Sequence, residues 1–200
     1  LKRLEYRGYD SAGVAIQCDG KVGVRKAAGK IRVLEERLSV GAPAGTSGIA
    51  HTRWATHGEP NDVNAHPHTD CRGRVALVHN GIIENYMVLK SALQAEGHHF
   101  RTDTDTEVLA HLIEKHLQRG LKLEQAVGAA LRAVEGTYGI AVVCADEPGV
   151  VVGARNGSPL VVGVGDGEYF LASDVAPIVE HTRQVVYLDD GEMAVLSPDG

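Results

Sequence analysis

Two blocks of short apolar runs bracket three stretches of helical periodicity, and this order restricts the chain more than any other feature. In the first block, residues 13–17 and 22–26 predict strands joined by Asp19-Gly20, a strong hairpin signal. Residues 31–38 carry apolar side chains at helical spacing. Residues 48–54 predict a further strand, and Val75-Ala76-Leu77-Val78 another. Residues 85–96, 106–118 and 123–134 then predict amphipathic helices, with possible N-caps among Thr102, Asp103, Thr104, Asp105 and Thr106. Six short runs follow, at 138–144, 150–154, 160–164, 169–172, 185–188 and 193–196, and read as strands between turns. Strands, helices and strands again predict an α+β chain with two sheets between helices. Neither a linker nor an internal repeat is visible, so residues 1–200 are expected to form one domain.

Composition narrows the partners. Asp and Glu number 26 against 20 Lys and Arg, a net charge of −6 without a basic block, so no nucleic acid is expected to bind. No run of about eighteen apolar residues occurs, and no membrane span or membrane partner is expected. Cys18, Cys71 and Cys144 are odd in number and far apart, which excludes a disulfide framework and favours a reducing, cytoplasmic setting. Aromatic residues make up only 4%, leaving the core to Val, Leu, Ile and Ala. The opening residues 1–6 read as the end of a helix without a beginning, as in a fragment.

Several side chains invite chemistry. Asn80-Gly81 follows the apolar run 75–78. It reads either as a type I′ turn or as an amide and a bare backbone N–H aimed at one point, as an oxyanion hole requires. Arg53, at a strand end beside Trp54, is either a surface cation or a planar clamp for a carboxylate. Asp105 is either a helix N-cap or the partner of a ligand ammonium. An amino acid substrate needs both an anion partner and a cation partner, which Arg53 and Asp105 would provide together. His51, His57, His66 and His68 are dense, but no cysteine or carboxylate joins them at a recognised ligand spacing, so no metal is expected. The glycines of Gly163-Val164-Gly165-Asp166-Gly167 lie between strands, which does not support a dinucleotide fold.

The motif blocks resemble a known family closely. Glu5-Tyr6-Arg7-Gly8-Tyr9-Asp10-Ser11-Ala12-Gly13, His51-Thr52-Arg53-Trp54-Ala55-Thr56-His57-Gly58, Asn64-Ala65-His66-Pro67-His68, Val78-His79-Asn80-Gly81-Ile82-Ile83-Glu84-Asn85, Thr104-Asp105-Thr106-Glu107 and Ser158-Pro159-Leu160 run in the family's order across most of the chain. They resemble the type-2 glutamine amidotransferase domain of the glutamine–fructose-6-phosphate aminotransferases, or glucosamine-6-phosphate synthases. The resemblance implies an N-terminal-nucleophile hydrolase fold, a four-layer αββα sandwich of two antiparallel sheets, with the family's first strand missing here. It implies that Arg53 holds the glutamine α-carboxylate and Asp105 the α-ammonium. Asn80 and the Gly81 N–H would form the oxyanion hole. Trp54, Thr56 and His57 would belong to a loop that closes over glutamine, and His66 would line the same site.

The resemblance further implies ammonia transfer to fructose 6-phosphate in C-terminal sugar isomerase domains beyond these residues. It implies a homodimeric complete enzyme, and no cofactor for the glutaminase step. The family's nucleophile is an N-terminal cysteine whose α-amine serves as base, and none of the three internal cysteines matches it. Residues 1–200 alone are therefore expected to be inactive. Another amidotransferase branch, or a glutamine-binding module without catalysis, remains the alternative.

Overall fold

The computed structural model describes residues 1–198. After a short 3-10 turn at Lys2–Arg7 come β1 (Ser11–Cys18), β2 (Lys21–Ala28), α1 (Ile31–Gly41), β3 (Ser47–Arg53), β4 (His68–Thr69) and β5 (Val75–Ile83). Three helices follow, α2 (Tyr86–Ala95), α3 (Glu107–Leu117) and α4 (Leu123–Leu131). The remaining strands are β6 (Gly136–Cys144), β7 (Val151–Asn156), β8 (Val161–Val164), β9 (Tyr169–Ala172), β10 (Val185–Tyr187) and β11 (Met193–Leu196). The hairpin at Asp19-Gly20 forms as its sequence predicts. Cys18 pairs with Lys21, and φ is +48° at Asp19 and +68° at Gly20, the double left-handed geometry of a type I′ turn.

Three antiparallel sheets form among the described residues, with orders β2-β1-β3, β11-β7-β6-β5-β4 and β10-β8-β9. The first two are the sheets of the expected sandwich. The third, small sheet departs from the expectation of two. Gly157, at φ +74°, and Pro159, which has no N–H to donate, lead the chain out of the five-stranded sheet after β7. The small sheet packs on the five-stranded one through a cluster of Leu160, Val162 and Leu188 with Leu196 of β11.

Strand alternation sets the layers. On β5, Val75 and Leu77 point to the helices, where they meet Leu93, Leu109, Ile113, Leu123 and Val127. Ala76 and Val78 point the other way, toward Ala15 and Ile49 of the three-stranded sheet. On β6, Ile140 and Val142 join the first cluster and Val143 the second. Both faces of these strands are buried, which explains their unbroken apolar runs. On the outer face of the three-stranded sheet, α1 packs through Ile31 and Leu34 against Ala12 and Ala27. The layers therefore run helix, sheet, sheet, helix.

Asn80-Gly81 is not a turn. β5 continues through both residues, with Asn80 opposite Gly139 and Gly81 opposite Tyr138. Gly81 carries a φ of +131°, and a Cβ there would lie 2.1 Å from the Thr137 carbonyl oxygen, so only glycine fits the register. No helix among the described residues is long and apolar enough to cross a membrane.

Leu109 is fully buried on α3 at the centre of the helix layer. Leu109→Ala is expected to lower unfolding free energy by about 3 kcal/mol, the usual cost of a large core truncation. Urea denaturation measures it. A loss below about 1 kcal/mol would show that this layer does not anchor the fold.

Candidate active site

A cavity of about 500 Å3 lies against the ends of β3 and β5. Arg53, Trp54, Thr56, His66, Asn80, Gly81 and Asp105 all line it. The structure thus brings together seven of the eight residues singled out from the sequence, drawn from segments more than fifty positions apart. The eighth, His57, reaches the site through its backbone. Its carbonyl accepts a hydrogen bond from Arg53 Nη2, while its ring stands edge-on to Tyr86 at 5.5 Å.

Arg53 ends β3 and is 4% exposed. Nη2 also donates to the Gly58 carbonyl at 3.1 Å, whereas the buried Nη1 has no protein partner. Burial pulls the guanidinium below its usual range, against the opposing pull of Asp10 and Asp105. It remains a cation with one open N–H face, an arrangement suited to an anion. Asp105 does not cap α3. Its Oδ2 accepts the Ile83 N–H at 2.8 Å, which ties the end of β5 to the residue entering the helix. Trp54 is 60% exposed and stands edge-on to Tyr9 at 5.7 Å, at the rim.

The orientation of Asn80 follows from its neighbour. His51 Nε2 lies 2.9 Å from Asn80 Oδ1, so the ring donates and the amide oxygen accepts. The Asn80 Nδ2 donor is left without a protein acceptor among the described residues. Burial drives His51 down to about 4, with the Asn80 hydrogen bond opposing, so the ring is neutral with its proton on Nε2.

A second chain of hydrogen bonds fixes the other rings. His79 Nε2 donates to the Thr137 carbonyl at 3.2 Å, so its Nδ1 accepts the Thr106 hydroxyl at 2.9 Å. Thr106 Oγ1 in turn accepts from His66 Nε2 at 3.1 Å. His66 Nδ1 ends the chain, buried and without a protein partner. A parallel chain runs from His68 Nε2 to Thr104 at 3.2 Å, to Thr102 at 3.0 Å and to Glu107 Oε2 at 2.7 Å. Burial alone would raise the Glu107 carboxyl. The neighbouring His111 ring, and donors from Thr102 and the Arg101 and Thr102 backbone, hold it at about 2 instead. Burial first, and then neighbouring cations and rings, push His66 and His68 well below the ordinary histidine range.

Sequence reasoning assigned no such role to His79, counted Thr106 only among possible N-caps and left His51 as one of a dense group of histidines, yet these three orient the singled-out residues. The two-residue period of β5 was the available signal: it turns residue 79 toward α3 and residue 80 toward β3. Cys18, Cys71 and Cys144 are not among the cavity-lining residues. Taken together, the cavity offers an anion site at Arg53, a cation site at Asp105 and an amide N–H donor at Asn80. Groups of these three kinds suit a zwitterion that also carries a polarisable group.

The chain is similar to known proteins. The family described as glutamine amidotransferase domain matches residues 51–180. The chain is 57% identical over 199 residues to the glutamine–fructose-6-phosphate aminotransferase (isomerizing) of Methanothermobacter thermautotrophicus, covering all of this chain and 34% of that protein. It is 59% identical over 204 residues to the protein of the same name from Chlorobaculum tepidum, covering all of this chain and 33% of that one. It thus spans about a third of the length of these relatives. Among solved structures, the glutamine phosphoribosylpyrophosphate (PRPP) amidotransferase of B. subtilis, complexed with ADP and GMP, superposes with a TM-score of 0.81 at 29% identity, covering all of this chain and 43% of that chain.

The lowered histidines make a pH prediction. Neutral in the fold but protonated when unfolded, His51 contributes stability that is complete above about 6.5 and is lost as pH falls toward about 4. His66 and His68 act in the same direction. Urea midpoints are expected to decline across that window; a flat profile would mean that the rings are charged in the native state.

Proposed function

Because this chain belongs to the glutamine amidotransferase domain family and has its αββα N-terminal-nucleophile fold, we propose that it is the glutaminase part of a glutamine–fructose-6-phosphate aminotransferase. The observation that carries the reading is the convergence of Arg53, Asp105 and Asn80-Gly81 on one cavity. Arg53 Nη1, buried and unpartnered, is the donor for the glutamine α-carboxylate. Asp105 takes the α-ammonium. The side-chain amide then reaches Asn80 Nδ2 and the Gly81 N–H.

A thiolate attacks the amide carbon, forming a C–S bond and a tetrahedral oxyanion that Asn80 and Gly81 stabilise. The intermediate collapses, the C–N bond breaks, and ammonia leaves with a proton from the nucleophile's base. Water hydrolyses the resulting γ-glutamyl thioester to glutamate. We assign the thiol to a residue outside these 200, since Cys18, Cys71 and Cys144 stand away from the cavity. The identities of 57% and 59%, against 29% for the PRPP enzyme, favour fructose 6-phosphate as the ammonia acceptor, bound by further domains. A homodimeric, cytoplasmic complete enzyme belongs to the same reading.

The test measures glutamate release by residues 1–200 beside a protein with its native upstream segment and processed N-terminal cysteine. Activity is expected only in the second, and a thiol-directed glutamine analogue should abolish it. Activity of the short chain, sensitive to the same analogue, would mean that an internal cysteine is the nucleophile. Inactivity of both would favour a binding module.

Two variants of the active protein separate the roles. Arg53→Ala removes an interaction present in ground and transition states alike and is expected to raise KM for glutamine far more than it lowers kcat. Asn80→Ala removes a donor needed as the oxyanion forms and is expected to cut kcat about a hundredfold or more with little change in glutamine affinity. An unchanged KM in the first, or an unchanged kcat in the second, would take that residue out of the site.

A further inference from the structure

Away from the cavity, four chemistry-bearing side chains converge that no local sequence pattern links. Cys71 sits in the turn between β4 and β5, and His98 in the connection from α2 to α3. His111 and Glu114 lie three positions apart on α3 and so share a face. His111 is 0%, Glu114 4% and His98 9% exposed. One donor atom from each falls within 4.8 Å of all the others. The separations are 3.7 Å from Cys71 Sγ to His98 Nδ1, 3.5 Å from Sγ to His111 Nδ1 and 3.3 Å between the two Nδ1 atoms. Glu114 Oε2 stands 3.0 Å from His98 Nδ1 and 3.4 Å from His111 Nδ1.

We propose that Cys71, His98, His111 and Glu114 form a structural tetrahedral site for a zinc-like divalent cation. Bonds of about 2.05 Å to nitrogen or oxygen, and about 2.3 Å to sulfur, set tetrahedral ligand atoms about 3.3 Å apart, or about 3.6 Å where one is sulfur. The five separations above scatter around those two values. The donor set also fits the charge. One thiolate and one carboxylate balance a dication, while two neutral imidazoles complete the shell, so a buried site carries no net charge. Four protein ligands leave no open position, which makes the site structural.

The surroundings orient each ligand. The His99 N–H donates to Cys71 Sγ at 3.5 Å, and Gln118 Nε2 donates to Glu114 Oε1 at 3.2 Å. His111 Nε2 has no hydrogen bond but faces Glu107 Oε1 at 3.5 Å. A proton on Nδ1 alone would turn the Nε2 lone pair toward that carboxylate. A metal on Nδ1 places the proton on Nε2, facing Glu107, the carboxylate–histidine–metal arrangement that fixes a ligand's tautomer. The competing occupant of the same space is a proton held among these four side chains. The site clamps the β4–β5 turn and the α2–α3 connection onto α3, whose first turn carries Glu107 beside Thr106 and Asp105. It is separate from the histidines His51, His57, His66 and His68, for which no metal is expected.

The test uses the complete polypeptide that carries these residues. Purified from zinc-supplemented medium, it is expected to hold one zinc bound by this quartet, counted as the metal lost per chain in Cys71→Ser and in His98→Ala. Cobalt(II) exchanged into the stripped protein is expected to show a thiolate-to-cobalt charge-transfer band and strong tetrahedral d–d absorption. Cys71→Ser and His98→Ala should each abolish that band and weaken zinc binding by more than about a hundredfold, whereas Cys18→Ser should change neither. A strong chelator is expected to lower the melting temperature of the parent protein but not that of Cys71→Ser. Absence of zinc and of the cobalt–sulfur band in the parent protein would overturn the proposal in favour of the protonated cluster. A metal that persists in both ligand variants would overturn it as well. The cobalt spectrum of the parent protein decides the question even where a variant fails to fold.

Discussion

The two-residue period of β5 is the constraint on which the rest of the structure depends. Its odd positions, Val75 and Leu77, enter the helix layer, and its even positions, Ala76 and Val78, enter the layer between the sheets. Two residues further on, the same alternation carries polar groups instead of apolar ones. It delivers His79 to Thr106 before α3, and Asn80 to His51 on β3. A slip of one residue would exchange these partners along with the whole core. The site is thus an extension of the core's own geometry, and Gly81 is the position where the register permits no side chain.

Around that strand, histidines act as neutral hydrogen-bonding groups. Burial disfavours their charged forms, and each ring has one nitrogen committed to a fixed partner. The resulting chains run in one direction only, because a backbone carbonyl in one case and an ionised Glu107 in the other set the first donor. Asn80 and His66 are thereby held with defined faces toward the cavity. Asn80 thus presents a fixed amide donor, and His66, with its proton on Nε2, a fixed Nδ1 acceptor.

Helix α3 connects the two halves of the molecule. Its beginning is stitched to β5 by Asp105 and Thr106, and its middle is packed by Leu109 and Ile113. Its far side presents His111 and Glu114 to Cys71 and His98. The cluster and the cavity lie at different points along α3 and share no residue.

The sequence by itself determined the local elements and the candidates at the cavity. Strand and helix periods, the Asp19-Gly20 turn, and the roles implied for Arg53, Asp105 and Asn80 depend on nearest neighbours or on motif identity, both of which are present in the linear chain. Tertiary structure decided the rest. Asn80-Gly81 lies within a strand because Tyr138 and Gly139, nearly sixty positions away, pair with it. The third sheet follows from where Gly157 and Pro159 direct the chain once β7 is already paired. His57 turned its ring to Tyr86 and left only its carbonyl at the site. The Cys71, His98, His111 and Glu114 cluster was illegible in the sequence, because its ligands come from a turn, a connection and a helix whose spacing matches no local pattern. Periodicity reports which face of an element is buried, but only the packed chain specifies what meets that face.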